Sequence, residues 1–387
     1  MNAPPRTVHL VAAARPNFMK IAPLYHALRA EPWCRPVIVH TGQHYDANMS
    51  DAFFRDLRLP EPGHHLEVGS GTHAEQTGRV MIEYGAVVTR AAPDCIVVVG
   101  DVNSTVACAM VGAKLRIPVV HLEAGLRSGD RRMPEEINRL ATDAISDVLW
   151  TPSPDADANL LREGIAPARI DRVGNIMIDS LEMMRGAIEA DGTRASMQLA
   201  GQGYAVVTLH RPSNVDDATT LAVLISRLVE VSRLMPLVFV VHPRTRARLE
   251  QYGLLGPLLE NGTASWCSDP GAPPARIALS VPLGYVPFMN LLFGSAAAIT
   301  DSGGLQEETT YLGIPCLTMR ENTERPITVD EGTNRLVTPE QLVERVADVL
   351  AGRWSTGRKP ALWDGRTAAR CAEALRRRLL EAPGHVS

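Results

Sequence analysis

The sequence predicts an α/β protein made of two Rossmann-like, doubly wound halves facing each other across a cleft. Three observations carry this. Short apolar runs alternate with helix-compatible stretches along nearly the whole chain. That alternation loosens once, near Ala190–Gly203, and then restarts. At 387 residues the chain also exceeds one ordinary α/β domain, so two or three are expected. The expected division is a first domain over 1–178, a linker helix region over 179–203, a second domain over 204–365, and a terminal helix over 366–387 that packs back on the first.

In the first half, apolar runs at Val8–Ala13, Val37–Thr41, Cys95–Val99, Ile117–Leu122, Val148–Thr151 and Ile170–Val173 read as strands. Pro16 is placed to start a helix, and His73–Ala92, Asn103–Leu115 and a segment opening at Pro134 read as helices. In the second half, Ala205–Leu209, Leu237–Val241 and Ile277–Ser280 are strands, Thr219–Arg233 is an amphipathic helix, and Phe288 opens a short helix. Strands and helices of these lengths imply parallel pairing with right-handed crossovers. Every strand-to-helix corner then emerges on one sheet edge, the edge at which such folds bind ligands. Arg15, Asp101 and Glu123 should therefore converge despite their separation in sequence.

The most informative corner is Ala296–Met319. An apolar run ends at Thr300, Asp301-Ser302-Gly303-Gly304 breaks it, and a helix is expected over Leu305–Leu312, stopped by Gly313. Free N–H groups at a helix start, with glycines that permit close approach, suit a phosphate. Glu307 and Glu308 are expected in the first turn, where carboxylates suit the helix dipole. The plain alternative is a helix start capped by Ser302.

Hydrophobic residues make up 45% of the chain and charged residues 21%, which suits a packed core and argues against broad disorder. A formal charge of -4 argues against nucleic acid or an anionic membrane as the main partner. The six cysteines contain no CxxC pair and read as reduced thiols of a cytoplasmic protein. The N-terminal stretch has neither a signal-peptide core nor a membrane span.

Asp101 and Glu123 each follow an apolar strand, so each carboxylate lies at the mouth of a sheet. Confined carboxylates have their pKa values pushed apart, which supplies one acid and one base. Asp101 has a competing reading as a helix cap, and Glu135 and Glu136 could merely complement a dipole. His210 and His242 end strands, and Arg211 beside His210 suits an anion. Arg15 and Lys20 could clamp a diphosphate or form a surface pair; Arg325 could be a loop cation, and Gln43 is a weak signal. No GxGxxG follows the first strand, and no Walker loop or HxxxH cluster occurs, so neither a nicotinamide nor a metal is expected and no cofactor is assigned.

The motifs ARPNFMKIAPL (14–24), VVGD (98–101), HLEAGLRSGD (121–130), PEEINR (134–139), LHRP (209–212), VHP (241–243), TDSGGLQEE (300–308) and TERP (323–326) together resemble the non-hydrolysing UDP-N-acetylglucosamine 2-epimerases. The resemblance spans about Val8 to Leu380. It implies the glycosyltransferase-B architecture, a homodimer and a UDP-sugar substrate. It further implies that Asp101, Glu123 and Glu135 are the acidic catalytic residues, with Glu136 the adjacent fallback, and that His210 joins them against the diphosphate. Ser302, Gly303 and Gly304 would hold phosphate, Glu308 the ribose, Phe288 the uracil, and Arg15, Lys20 and Arg325 the diphosphate and its surroundings. Gln43, Arg211 and His242 would serve a second UDP-sugar bound as activator. Two departures stand out: Ala-Ala-Arg-Pro-Asn (Ala13–Asn17) replaces Gly-Thr-Arg-Pro-Glu, and Leu283 replaces a glutamine.

The implied activity is reversible epimerisation at C2 of UDP-N-acetylglucosamine, by elimination and re-addition of UDP. The alternatives are a 2-epimerase of a modified UDP-sugar such as UDP-2,3-diacetamido-glucuronate, a hydrolysing epimerase, a glycosyltransferase of the same architecture, and a non-catalytic UDP-sugar sensor.

Overall fold

A computed structural model describes residues 4–42, 54, 56–199, 201, 203–260, 264–266, 276–355 and 357–381. The chain divides into two compact units, Met1–Met183 with Ala361–Ser387, and Met184–Pro360. Each is a parallel sheet of seven strands with helices in the connections.

In the first unit the strands are β1 (Arg6–Ala12), β2 (Cys34–His40), β3 (His64–His65), β4 (Cys95–Val99), β5 (Val119–Leu122), β6 (Val148–Thr151) and β7 (Ile170–Arg172). Their order is β3-β2-β1-β4-β5-β6-β7. Pairing β1 to both β2 and β4 makes the end of β1 the point where the winding reverses, the usual ligand position in open α/β sheets. Helices α1 (Arg15–Arg29), α2 (His73–Arg90), α3 (Asn103–Lys114), α4 (Pro134–Ile145), α5 (Pro154–Arg162) and α6 (Ile176–Ala190) follow strands in turn. Small residues on α3, among them Ala107, Ala109 and Gly112, are buried in the core with Val80, Tyr84, Ile96 and Val98. A Cβ at Gly112 would come within 2.6 Å of Val119, so the close helix–sheet approach depends on glycine there.

The second unit contains β8 (Ala205–Thr208), β9 (Leu237–Val240), β10 (Ala264–Trp266), β11 (Ile277–Ser280), β12 (Ala297–Thr300), β13 (Cys316–Thr318) and β14 (Asn334–Leu336), in the order β10-β11-β9-β8-β12-β13-β14. Its reversal lies between β8 and β12. Helices α7 (Ala218–Ser232), α8 (Pro243–Gln251), α9 (Tyr285–Phe293), α10 (Gly303–Leu312) and α11 (Leu342–Leu350) connect them. The last helix, α12 (Thr367–Arg376), belongs to the first unit and packs on α1. Its first N–H groups, on Thr367 and Ala368, donate to the Asp179 carboxylate at 3.1 and 2.8 Å.

Two expectations are corrected. Helix α10 starts at Gly303, not Leu305, because both glycines adopt helical backbone after the extended Ser302. Glu307 and Glu308 consequently fall beyond its first turn and are buried, so their carboxylates do not serve the helix dipole. Several elements escaped the reading of the sequence. They are the edge strands β3, β10 and β14 and the helices α5, α8 and α11. Cys34, Cys95, Cys108, Cys316 and Cys371 are buried free thiols. Among the described residues no helix is long and apolar enough to cross a membrane, and no cluster of three or more potential metal ligands occurs.

Candidate active site

In the first unit the corners after β4 and β5 come together beside the start of α1. Lys20, buried on the second turn of α1, pairs with Glu123 Oε2. Gly100, which follows β4 with φ +69°, lies against this pair. A Cβ there would be 3.4 Å from Lys20 Nζ and 3.5 Å from Glu123 Oε2. Glu123 itself has φ +76°, a left-handed conformation costing a non-glycine residue about 1–3 kcal/mol. Such a backbone persists only when its surroundings hold it. Its N–H and that of Ala124 both donate to the Trp150 carbonyl.

Asp101 is half-buried, and its carboxylate takes Arg139 Nη1 at 2.5 Å. It does not cap α3, whose capping position is Val102 with no side-chain bond, so that competing reading is removed. Arg139 in turn donates from Nε to Glu136 Oε2 at 3.0 Å. Glu136 is buried and also accepts the N–H groups of Ser128 and Gly129, each at 3.0 Å. Burial would raise its pKa, but those N–H groups and Arg139 outweigh it and the net shift is downward. Glu136 is thus fully occupied in tying a loop to α4, whereas Glu135 is exposed on the first turn of α4. Arg15 is exposed at the start of α1.

Asn17 explains one departure from the family pattern. Its Oδ1 accepts the Ala14 N–H at 3.1 Å while its Nδ2 donates to the Val99 carbonyl at 3.1 Å. A glutamate could make the first bond but not the second, since a carboxylate cannot donate. The asparagine therefore ties the start of α1 to the end of β4, next to the Lys20–Glu123 pair.

In the second unit Asp301, with no exposed surface, organises the corresponding reversal point. Its carboxylate accepts the backbone N–H of His210 at 3.0 Å, that of Arg211 at 2.9 Å and Asn214 Nδ2 at 2.9 Å. It also faces His210 Nδ1 at 2.8 Å. Burial opposes its charge, yet these donors keep its pKa below the usual carboxylate range. The His210 ring is 37% exposed, so a proton on Nδ1 directed at Asp301 leaves Nε2 for an outside partner. His242 lies 5.5 Å away, ring to ring, and its Nδ1 accepts the Arg244 N–H to cap α8.

Ser302 occupies the capping position of α10, but its side chain makes no capping bond. Gly303 lies close against the Arg325 and Glu324 side chains. A Cβ would lie 2.6 Å from Arg325 Nη1 and 2.7 Å from Glu324 Oε1. Arg325 is nearly buried between Glu307, at 2.9 Å, and Glu324, at 2.7 Å, and Arg320 holds the other Glu324 oxygen at 2.8 Å. Gly304 is half-buried on the same turn. Glu308 receives the Tyr285 hydroxyl at 2.8 Å. Burial pushes its pKa up to about 7, against the pull of Tyr285 and with help from Glu307. Phe288 on α9 is half-buried against Tyr204, Val206 and Leu291, with Leu283 on the same cluster.

The first unit thus brings Lys20, Glu123 and the Gly100–Asp101 corner together and leaves Arg15 and Glu135 on its surface. The second gathers His210, Arg211, Gly303 and Arg325 around Asp301 and Glu324, with Arg211 Nη2 at 3.8 Å from Glu324. Gln43 lies outside the described residues. Reasoning from sequence passed over Asn17, His121, Arg139, Asp143 and Tyr285, and treated Asp301 only as part of a loop.

The family model for UDP-N-acetylglucosamine 2-epimerase matches residues 26–376. The UDP-N-acetylglucosamine 2-epimerase of Methanocaldococcus jannaschii is 40% identical over 350 residues, covering 88% of this chain and 91% of the relative. The UDP-2,3-diacetamido-2,3-dideoxy-D-glucuronate 2-epimerase of Pseudomonas aeruginosa is 36% identical over 370 residues, covering 94% and 98%. The crystal structure of the M. jannaschii UDP-GlcNAc 2-epimerase in complex with UDP-GlcNAc and UDP matches with a TM-score of 0.83 at 38% identity, over 95% of this chain and 99% of that one. The two seven-stranded parallel sheets agree with that likeness: this chain belongs to the UDP-N-acetylglucosamine 2-epimerase family.

Proposed function

We propose that this enzyme is an isomerase that reversibly inverts C2 of UDP-N-acetylglucosamine, giving UDP-N-acetylmannosamine. The observation that carries the reading is the buried Lys20–Glu123 pair beside the Gly100–Asp101 corner, in a chain of this family. The C2 hydrogen is not next to a carbonyl, so direct deprotonation gains little stabilisation. If the C1–O bond to UDP breaks with its electron pair leaving on UDP, C2–H becomes acidic. A carboxylate then takes that proton and a C1=C2 bond forms, giving UDP and 2-acetamidoglucal. Proton return to the opposite face, with UDP re-adding at C1, inverts C2. Two faces need two proton-transfer groups, each worth about 10²–10⁴-fold. Glu123 and Asp101 are assigned these roles, with Glu135 as the third candidate.

The free N–H groups at the start of α10, with Ser302, Gly303 and Gly304, suit the leaving diphosphate, as do Arg15, Arg325 and His210. Glu308 is assigned to the ribose hydroxyls and Phe288 to the uracil. Lys20 is assigned to Glu123 first, as its charge partner, and to the diphosphate second. A homodimer and a second UDP-sugar acting as activator near Gln43, Arg211 and His242 belong to the same reading. The buried free thiols suit the cytoplasm.

The test is an NMR time course with UDP-GlcNAc in D₂O. Conversion to UDP-ManNAc with deuterium at C2 is expected, and product without deuterium would sink the mechanism. A second reading, action on UDP-2,3-diacetamido-glucuronate, is favoured by the 36% identity to the P. aeruginosa enzyme. Parallel assays with both sugars decide between them.

A further inference from the structure

We propose that His121 and Asp143 are positioning residues that clamp Glu123 and the Gly100–Asp101 corner in their working geometry, with His121 carrying a proton on both ring nitrogens. The proposal deepens the epimerase reading and rests on Glu123 being a proton-transfer group.

His121 is completely buried on β5, opposite Val98 of β4 and Leu149 of β6. Its Nδ1 is 2.6 Å from Asp143 Oδ1, and its Nε2 is 2.8 Å from the Gly100 carbonyl oxygen. The carbonyl can only accept. Asp143 is also an acceptor. Its other oxygen takes the Gly125 N–H and Arg127 Nη2, donors that hold it as a carboxylate acceptor. Either neutral tautomer would set a nitrogen lone pair against an oxygen lone pair at one of these contacts. Only the doubly protonated ring donates at both.

The same carboxylate grips the chain on the far side of Glu123. Asp143 Oδ2 accepts the Gly125 N–H at 3.1 Å and takes Arg127 Nη2 at 2.7 Å. Asp143 therefore holds residues 121 and 125, and between them lies Glu123 with its left-handed backbone. Gly125 adds a steric stop, since a Cβ on it would lie 2.5 Å from the Ala156 carbonyl oxygen. This is the over-determined setting that a strained residue needs in order to persist. The other end of the clamp acts through Gly100. Its N–H donates to the Leu122 carbonyl and its own carbonyl accepts from His121, so the peptide groups on both sides of Gly100 are held.

The charged groups around the ring alternate in sign. His121 and Arg127 face Asp143, Arg127 also holds Glu163 at 2.6 Å, and beyond Gly100 lie Lys20 and Glu123. A positive ring is thus accommodated without an unpaired buried charge.

The test begins with the wild-type enzyme labelled with ¹⁵N-histidine. Long-range ¹H–¹⁵N spectra at neutral pH should show one histidine with both ring nitrogens protonated, absent in His121→Gln. In His121→Gln and Asp143→Asn, kcat for C2 deuterium exchange should fall about 100-fold, as expected for a displaced reacting group. KM and UDP affinity should stay within roughly threefold, and the double variant should be no slower than either single one. A neutral His121 ring in the wild type overturns the proposal, as does a kcat per folded molecule close to wild type in both variants. If the variants do not fold, the wild-type spectrum alone decides. Absence of C2 exchange in the wild type would instead remove the epimerase reading, while the ring spectrum would still test the clamp.

Discussion

Each unit contains a closely paired aspartate and histidine, and the two pairs are used oppositely. In the first, both His121 nitrogens are consumed, by Asp143 and by the Gly100 carbonyl, and no ring surface is exposed. In the second, Asp301 takes one His210 nitrogen and more than a third of the side chain faces outward. A histidine with no free nitrogen can only hold other groups in place; one with a free nitrogen can meet a ligand. On the function proposed above, chemistry in the first unit would fall to the group the histidine supports, Glu123, and ligand contact in the second to the histidine itself.

The largest expected effect tests that division directly. Glu123→Gln should lower kcat by about 10³-fold while UDP affinity, measured by calorimetry, is preserved; His210→Asn should weaken UDP binding as well as turnover. Near-normal turnover in Glu123→Gln would take the chemistry away from the first corner. Lys20→Met removes the lysine partner of a buried carboxylate, so chemical denaturation should show a loss of about 3–5 kcal/mol. A loss under about 1 kcal/mol would mean that Glu123 is neutral or solvated in the folded protein.

The second unit has its own pH signature. The unfolded chain releases the Glu308 proton near pH 4.5, whereas the folded protein retains it to about 7. The Glu308 contribution to stability should therefore be greatest below pH 4.5, decline by up to about 3 kcal/mol as pH rises to 7, and level off above that. Glu308→Gln should flatten this decline, and an unchanged slope in that variant would assign it to other groups. The smallest effect is expected from Asp301→Asn, which keeps the shape but loses charge-assisted acceptance. We expect about 2 kcal/mol less stability and about tenfold weaker UDP binding, with kcat at saturation less affected. A larger effect on kcat than on binding would give His210 a role in the chemistry itself.

The corners were legible in the sequence because each combines a short apolar run with an abrupt polar break. Cys95–Val99 before Gly100-Asp101 and Ala297–Thr300 before Asp301-Ser302 are examples. What was not legible depends on partners distant in sequence or on runs too short to show a period. His121 reads as one polar residue in VVHL, and its partner stands 22 residues further on. The available signal was its place two residues before Glu123 in a strand otherwise wholly apolar. The roles of Glu135 and Glu136 cannot be separated by composition, and only the burial of Glu136 against Ser128, Gly129 and Arg139 distinguishes them. The two-residue strand β3 is defined by its pairing with Val39 and His40 and carries no pattern of its own.

The return of α12 to the first unit has a consequence for synthesis. Trp363 Nε1 donates to the Pro152 carbonyl, Arg370 Nε to the Val173 carbonyl, and Asp179 waits for N–H groups 188 residues downstream. On the ribosome, where domains generally fold as their residues emerge, the later unit has its whole sequence available first. The earlier one keeps an uncovered face on α1 until translation is nearly over. Stop codons that remove only α12 should accordingly injure the half of the enzyme that was made first.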